Sequence, residues 1–144
     1  MPNRSTEDYI KAVYALEAVG EPVTTSAVAA QLHIANGSVS AMLKKLSQER
    51  LLHYKPYQGV TLTAAGRRMA LRIVRRHRLW EVFLAERLGF PWDEVHDEAE
   101  RLEHVTSDEL ERKLDESLGF PSADPHGDPI PSAPGGLRYR TLKP

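Results

Sequence analysis

Glu100, Glu103 and His104 lie in the stretch "DEAERLEHVTSDEL", residues 97–110, together with Glu98. On a helix turning about 100° per residue, the first three share one face, and His96 sits one turn earlier on the same stripe. Val95, Ala99, Leu102 and Val105 fall on the opposite side, and Glu98 points away from Glu100 toward solvent. Carboxylate oxygens beside imidazole nitrogens are donors that harder divalent ions accept, and clustered carboxylates that repel one another need a cation to share their site. The plainer alternative is an amphipathic helix whose polar face meets water. Upstream, "RHRLWE" sets His77 and Glu81 at i and i+4, neighbours on a helix, and Asp8 adds a carboxylate on an N-terminal helical stretch. His33, His53 and His126 have no carboxylate pattern around them and stay outside the candidate set. Cys is absent, which excludes disulfides, thiolate zinc sites and thiol nucleophiles.

The elements that must carry these residues can be read from caps and periodicity. A chain of 144 residues, 41% hydrophobic and 27% charged, suits a soluble globular protein with one core or two small ones. "STEDYIKAVYALEAVG" opens on a Ser/Thr cap signal, carries apolar residues at helical spacing and stops at Gly20, which predicts a helix over residues 5–19. A short helix from Thr25 to Leu32, a break at Ala35-Asn36-Gly37 and a helix from Ser38 to Glu49 make a helix-turn-helix signature. "LLHYKPYQGVTLT" reads as a β-hairpin, and the order helix, helix-turn-helix, hairpin is that of a winged helix. A long helix of about 25 residues follows from a Thr cap to Gly89. "PWDEVHDEAERLEHV" then starts a helix with Pro at its first position, and "TSDELERKLDESLGF" carries a capping box. The fold class is therefore mainly α. It comprises a winged helix-turn-helix domain over residues 1–64, an all-helical dimerisation domain over 65–119, and a Pro/Gly-rich tail or linker over 120–144. Three helices cannot each bury an apolar face in so small a unit, so a second copy is expected to cover them.

Charge is segregated along the chain. Residues 1–78 hold 12 Lys or Arg against 5 Asp or Glu, whereas residues 79–144 hold 7 against 15. This suggests a first part that meets a polyanion and a second that binds cations. A winged helix on a basic segment reads as DNA binding, because an α-helix fits the major groove and cations hold the phosphates. Asn36, Gly37, Ser38 and Ser40 lie where the second helix of the motif begins and are candidates for base edges or phosphates. Lys44, Lys45, Arg50 and Lys55 are candidates for phosphates, while Val39, Met42, Leu43 and Leu46 belong to the core. No apolar run approaches the roughly 18 residues that span a bilayer. "MPNRSTEDY" lacks the apolar core of a signal peptide, so a cytoplasmic protein without a membrane partner is expected.

Together, "STEDYIKAVYAL", the helix-turn-helix, "GVTLTAAGRR", "RHRLWEVFL", "VHDEAERLEHVTSDELERKL" and "GDPIP" resemble the diphtheria toxin repressor family, DtxR and MntR, over residues 5–131. The resemblance implies a metal-dependent repressor controlling metal-ion homeostasis. It implies a homodimer whose winged helices bind a double-stranded DNA operator when Mn²⁺ or Fe²⁺ is present. Carried over residue by residue, the effector site is Asp8, Glu100, Glu103 and His104, and the ancillary site is His77, Glu81 and His96, two metal ions per subunit. Iron-sensing members carry Met and Cys where this sequence has Asp8 and Glu100, so the oxygen ligands resemble the manganese branch. Lys11 stands where small manganese-branch members carry Glu, which removes one ligand of their two-metal arrangement, while the ancillary set of the iron branch is complete. Ala41 replaces the Gln or Lys of relatives, so base preferences do not transfer. Many relatives continue into an SH3-like domain after the Pro-rich segment.

Two rival readings remain at this level. A metal-dependent hydrolase is suggested by "ERLEH", which approaches H-x-x-E-H, but Glu100 replaces the first His and no nucleophile accompanies it. A winged-helix regulator answering a small organic ligand would leave the acidic helix to solubility.

Overall fold

Asn3, Thr24 and Ser107 each lend a side-chain oxygen to an amide three residues ahead, at 2.8, 3.0 and 3.1 Å, and a helix starts at each. The computed structural model describes residues 3–20 and 22–133. Its elements run α1 (Arg4–Val19), α2 (Thr25–Leu32), α3 (Asn36–Gln48), β1 (Leu52–Lys55), β2 (Gly59–Leu62), α4 (Ala64–Glu86), α5 (Val95–Glu103) and α6 (Asp108–Ser117). The chain is mainly helical, and it divides between Ala70 and Leu71 into two compact units.

The first unit is the winged helix-turn-helix. Ile10 and Val13 of α1, Val28 of α2, Val39, Leu43 and Leu46 of α3 and Leu52 of β1 form its core, each at most 1% exposed. The strands pair antiparallel from Leu52 opposite Leu62 to Lys55 opposite Gly59, turning Leu52, Val60 and Leu62 inward. Gly66, in the first turn of α4, has no room for a side chain, since a Cβ there would stand 1.9 Å from the Leu51 carbonyl oxygen. Gly59, at φ 111°, lies against the Val23 carbonyl, which accepts the Val60 amide at 2.9 Å.

Two boundaries differ from the sequence reading. The break between α2 and α3 is made by His33, at φ 59°, with the Ile34 amide returning to the Ala29 carbonyl at 3.0 Å. Asn36 and Gly37 consequently belong to the first turn of α3 rather than to the turn before it. Pro91 is not the first residue of α5; Pro91 to Glu94 form a turn closed by the Glu94 amide on the Pro91 carbonyl at 2.9 Å, and the helix begins at Val95.

The second unit takes α4 from Leu71 onward with α5 and α6. Leu79 and Val82 meet Leu114 and Ile130, while Leu84 meets Val95 and Ala99. Ile130 is fully buried, so the segment expected to be a linker or tail from residue 120 is part of this core as far as residue 131. The Asp124 amide donates to the Asp128 carbonyl at 2.9 Å, and the Ile130 amide to the Ser122 carbonyl at 3.0 Å. Buried Arg75 ties these pieces together, donating to Glu111 (2.5 Å) and Asp115 (2.9 Å) of α6 and to the Pro131 carbonyl (3.0 Å). Arg76 donates to Glu111 (2.6 Å), Asp108 and the Thr106 carbonyl (both 2.5 Å). The expected apolar face of α5 is buried at Val95 and Ala99, but Val105, past the helix end, is 75% exposed. Among the described residues no helix is long and apolar enough to cross a membrane.

Candidate functional site

α4 and α5 bring most of the predicted ligands of the second unit together. The i, i+4 spacing on α4 sets His77 Nε2 3.1 Å from Glu81 Oε2. His77 Nδ1 lies 2.6 Å from Glu103 Oε1, at the end of α5. His96 reaches across with its Nδ1 3.9 Å from Glu81 Oε2 and its ring against that of His77, centroids 4.8 Å apart. On the same α5 stripe, His96 Nε2 is 3.6 Å from Glu100 Oε2. His104 caps α5 with its Nε2 3.3 Å from Glu103 Oε2. Asp8 belongs to the first unit, on α1, partly exposed and 3.9 Å from Arg4. Glu98 is taken by Arg101 on the outer side of α5.

His126, excluded by the sequence reading, belongs to this array. Its Nδ1 lies 3.5 Å from Asp124 Oδ2 and 3.8 Å from Glu81 Oε2, and its Nε2 donates to the Trp92 carbonyl at 2.9 Å. Both His77, Glu81 and His96 and Glu81, Asp124 and His126 can therefore offer one ligand atom each within 4.8 Å of one another, with Glu81 common to both. The signal was present in "DPHGD", where Asp124 and Asp128 flank His126 at two residues, but the third partner lies on α4 and no local pattern reveals it.

Glu103, Glu81 and His77 are 1, 2 and 6% exposed, so two carboxylates are held out of water around one imidazole. Buried ionised carboxylates are costly unless neutralised, and this donor set of oxygen and nitrogen fits a divalent cation. Burial opposes ionisation of Glu81, but hydrogen bonds from His77 and Asp124 and the charges of His77 and His126 outweigh it, so its carboxyl sits below the usual range. Asp124 is pushed the other way, by burial first and then by the neighbouring Glu81. Of the two carboxyls, Asp124 is thus the more easily protonated.

The predicted DNA-facing residues all lie on the first unit. Asn36, Gly37 and Ser38 are exposed at the start of α3, Ser40 is half-buried, and Asn36 donates to Ser26 of α2 at 3.2 Å. Lys44, Lys45, Arg50 and Lys55 are exposed, Arg50 at φ 64° just past α3. Ser26, Asn36, Ser40 and Lys44 form one wall of a groove of about 640 Å³ whose other wall is the hairpin, with Lys55 and Tyr57.

The sequence matches "Iron dependent repressor, N-terminal DNA binding domain" over residues 1–60 and "Iron dependent repressor, metal binding and dimerisation domain" over residues 63–132. It is 38% identical to the iron-dependent repressor IdeR of Mycobacterium leprae over 127 residues, 88% of this chain and 55% of the relative. Among solved structures, a manganese-dependent transcriptional repressor in complex with manganese is similar at a TM-score of 0.86 and 44% identity, covering 93% of this chain and 62% of that one. ScaR with bound Zn²⁺ is similar at a TM-score of 0.81 and 38% identity, covering 96% and 64%. The chain spans a little over half the length of the curated relatives it matches.

Proposed function

Since this chain belongs to the iron-dependent repressor family of metal-dependent transcriptional regulators, we propose that it represses transcription by binding an operator as a homodimer when Mn²⁺ is bound. One observation carries the metal reading: His77 held between two buried carboxylates, Glu81 and Glu103. Asp8, Glu100, Glu103 and His104 are proposed as the effector ligands. His77, Glu81 and His96 are proposed as the ancillary set, with Asp124 and His126 as further donors around Glu81. When bound, the metal supplies the positive charge that lets these carboxylates occupy one neighbourhood. Asp8 and Glu100 offer oxygen where sulfur would favour softer ions, which supports Mn²⁺ over Fe²⁺ as effector.

Asp8 sits on the helix whose Ile10 and Val13 share a core with Val39 and Leu43 of α3, so a restraint on Asp8 is also a restraint on the helix offered to DNA. Metal can favour the operator-competent arrangement only to the extent that it binds that arrangement more tightly than others. The apolar side chains Leu88, Trp92 and Leu110, exposed on the second unit, support the homodimer, which would cover them. We propose no catalytic activity, and a repressor of this kind acts in the cytoplasm, where bacterial operators are. Selection of duplexes from a random library with Mn²⁺, Fe²⁺, Zn²⁺ or chelator in parallel tests the reading. A two-fold related sequence bound with Mn²⁺ and released by chelator is expected; tight operator binding in chelator would overturn it.

A further inference from the structure

We propose that Tyr57, at the tip of the wing, is a DNA-contacting residue that seats on the sugar–phosphate backbone beside the groove read by α3. The inference rests on the first unit binding duplex DNA. Lys55 to Gln58 form a turn closed by the Gln58 amide on the Lys55 carbonyl at 2.9 Å. Pro56 occupies the second position, as such turns favour, and Tyr57 the third, at φ 68°, where Gly or Asn is the residue the backbone prefers. The same hairpin does place Gly at its other left-handed position, Gly59. A tyrosine held in that conformation costs stability, and packing returns nothing, because Tyr57 is 108% exposed. A ring kept fully in water at a strained position has its use outside the chain.

What that use is follows from its neighbours. Tyr57 stands on the groove of about 640 Å³ between the wing and α3, where Lys44 and Lys55 are the charged groups among the described lining residues. A strand of nucleic acid brings phosphates for those lysines, and a tyrosine hydroxyl donates to a phosphate oxygen while its ring covers the adjoining sugar. An apolar protein partner would find Lys55, Pro56 and Gln58 around the ring instead of an apolar patch. Backbone contacts carry no sequence information, so Tyr57 adds affinity and leaves the order of preferred sequences alone.

The full chain with Mn²⁺ is titrated onto selected and scrambled duplexes across a salt series, for the wild type, Tyr57→Gly, Tyr57→Phe and Lys44→Ala. Tyr57→Gly is expected to melt at a higher temperature yet bind every duplex about tenfold more weakly, with an unchanged salt slope. Tyr57→Phe should fall between, and Lys44→Ala should lower the slope by about one. Wild-type affinity in Tyr57→Gly, or a changed ranking of duplexes, would overturn the proposal while DNA binding stands. A wild type that binds no duplex in any metal would overturn the function itself, an outcome seen before any variant is compared.

Discussion

His77 faces a carboxylate at each ring nitrogen, and a neutral imidazole can donate from only one of them. In the metal-free protein satisfying both contacts takes a second proton, shared among His77, Glu81 and Glu103, and a metal that takes one of these positions must displace a proton. Metal uptake is expected to tighten as pH rises and to release protons, measured by calorimetry in buffers of different ionisation enthalpy. His77→Ala leaves Glu81 and Glu103 buried without their shared partner and should cost about 3 kcal/mol in chelator, read by urea unfolding. His126 behaves differently. Burial opposes its charged form, but the Trp92 carbonyl, Glu81 and Asp124 outweigh that and raise its pKa above 6.5. Its stabilising effect is thus complete below the ordinary value and is lost as pH rises through the folded value. The melting-temperature gap between wild type and His126→Asn in chelator should be widest near about pH 5.5 and shrink by about pH 8.5. The candidate ligands on α4 and α5 could be grouped from the sequence because helical spacing brings them to common faces. His126 could not, because its link to Glu81 joins residues far apart in sequence through a segment without periodicity.

Helix ends and close approaches set the accuracy of the reading at the scale of elements. The span of α2 and the order of the hairpin follow from Thr24 and from the β-prone runs around Pro56 to Gly59. The start of α3 departs from the expectation because Asn-Gly is a strong turn signal, whereas the turn here is made by His33, before the Asn-Gly pair is reached. Nothing around Gly37 in the first helical turn requires glycine, since a Cβ there would meet nothing within 4 Å. Gly66 is the opposite case, a glycine that sequence shows only as a helix residue but that the Leu51 carbonyl requires. Gly66→Ala is expected to destabilise the first unit by about 3 kcal/mol, checked by thermal unfolding, although alanine is the better helix former.

At the scale of the whole molecule, the charge asymmetry drawn at Arg78 shifts once the units are known. Residues 1–70 hold 8 Lys or Arg against 5 Asp or Glu, a milder excess than the sequence cut implied. Arg75 and Arg76 are spent on Glu111, Asp115 and Asp108, and Arg78 on the Pro129 carbonyl. Arg75→Ala should therefore leave the salt slope of DNA binding unchanged while lowering the stability of the second unit, whereas Lys44→Ala does the reverse. The segment around Ile130 carries one more consequence, for the living cell. The ribosome delivers α4 and α6 before Ile130, so Leu79, Val82 and Leu114 wait for an apolar partner that arrives last. The winged helix has all its pieces long before that, so nascent chains are expected to pass through a stage in which the first unit is folded while the second is still open to proteases and chaperones.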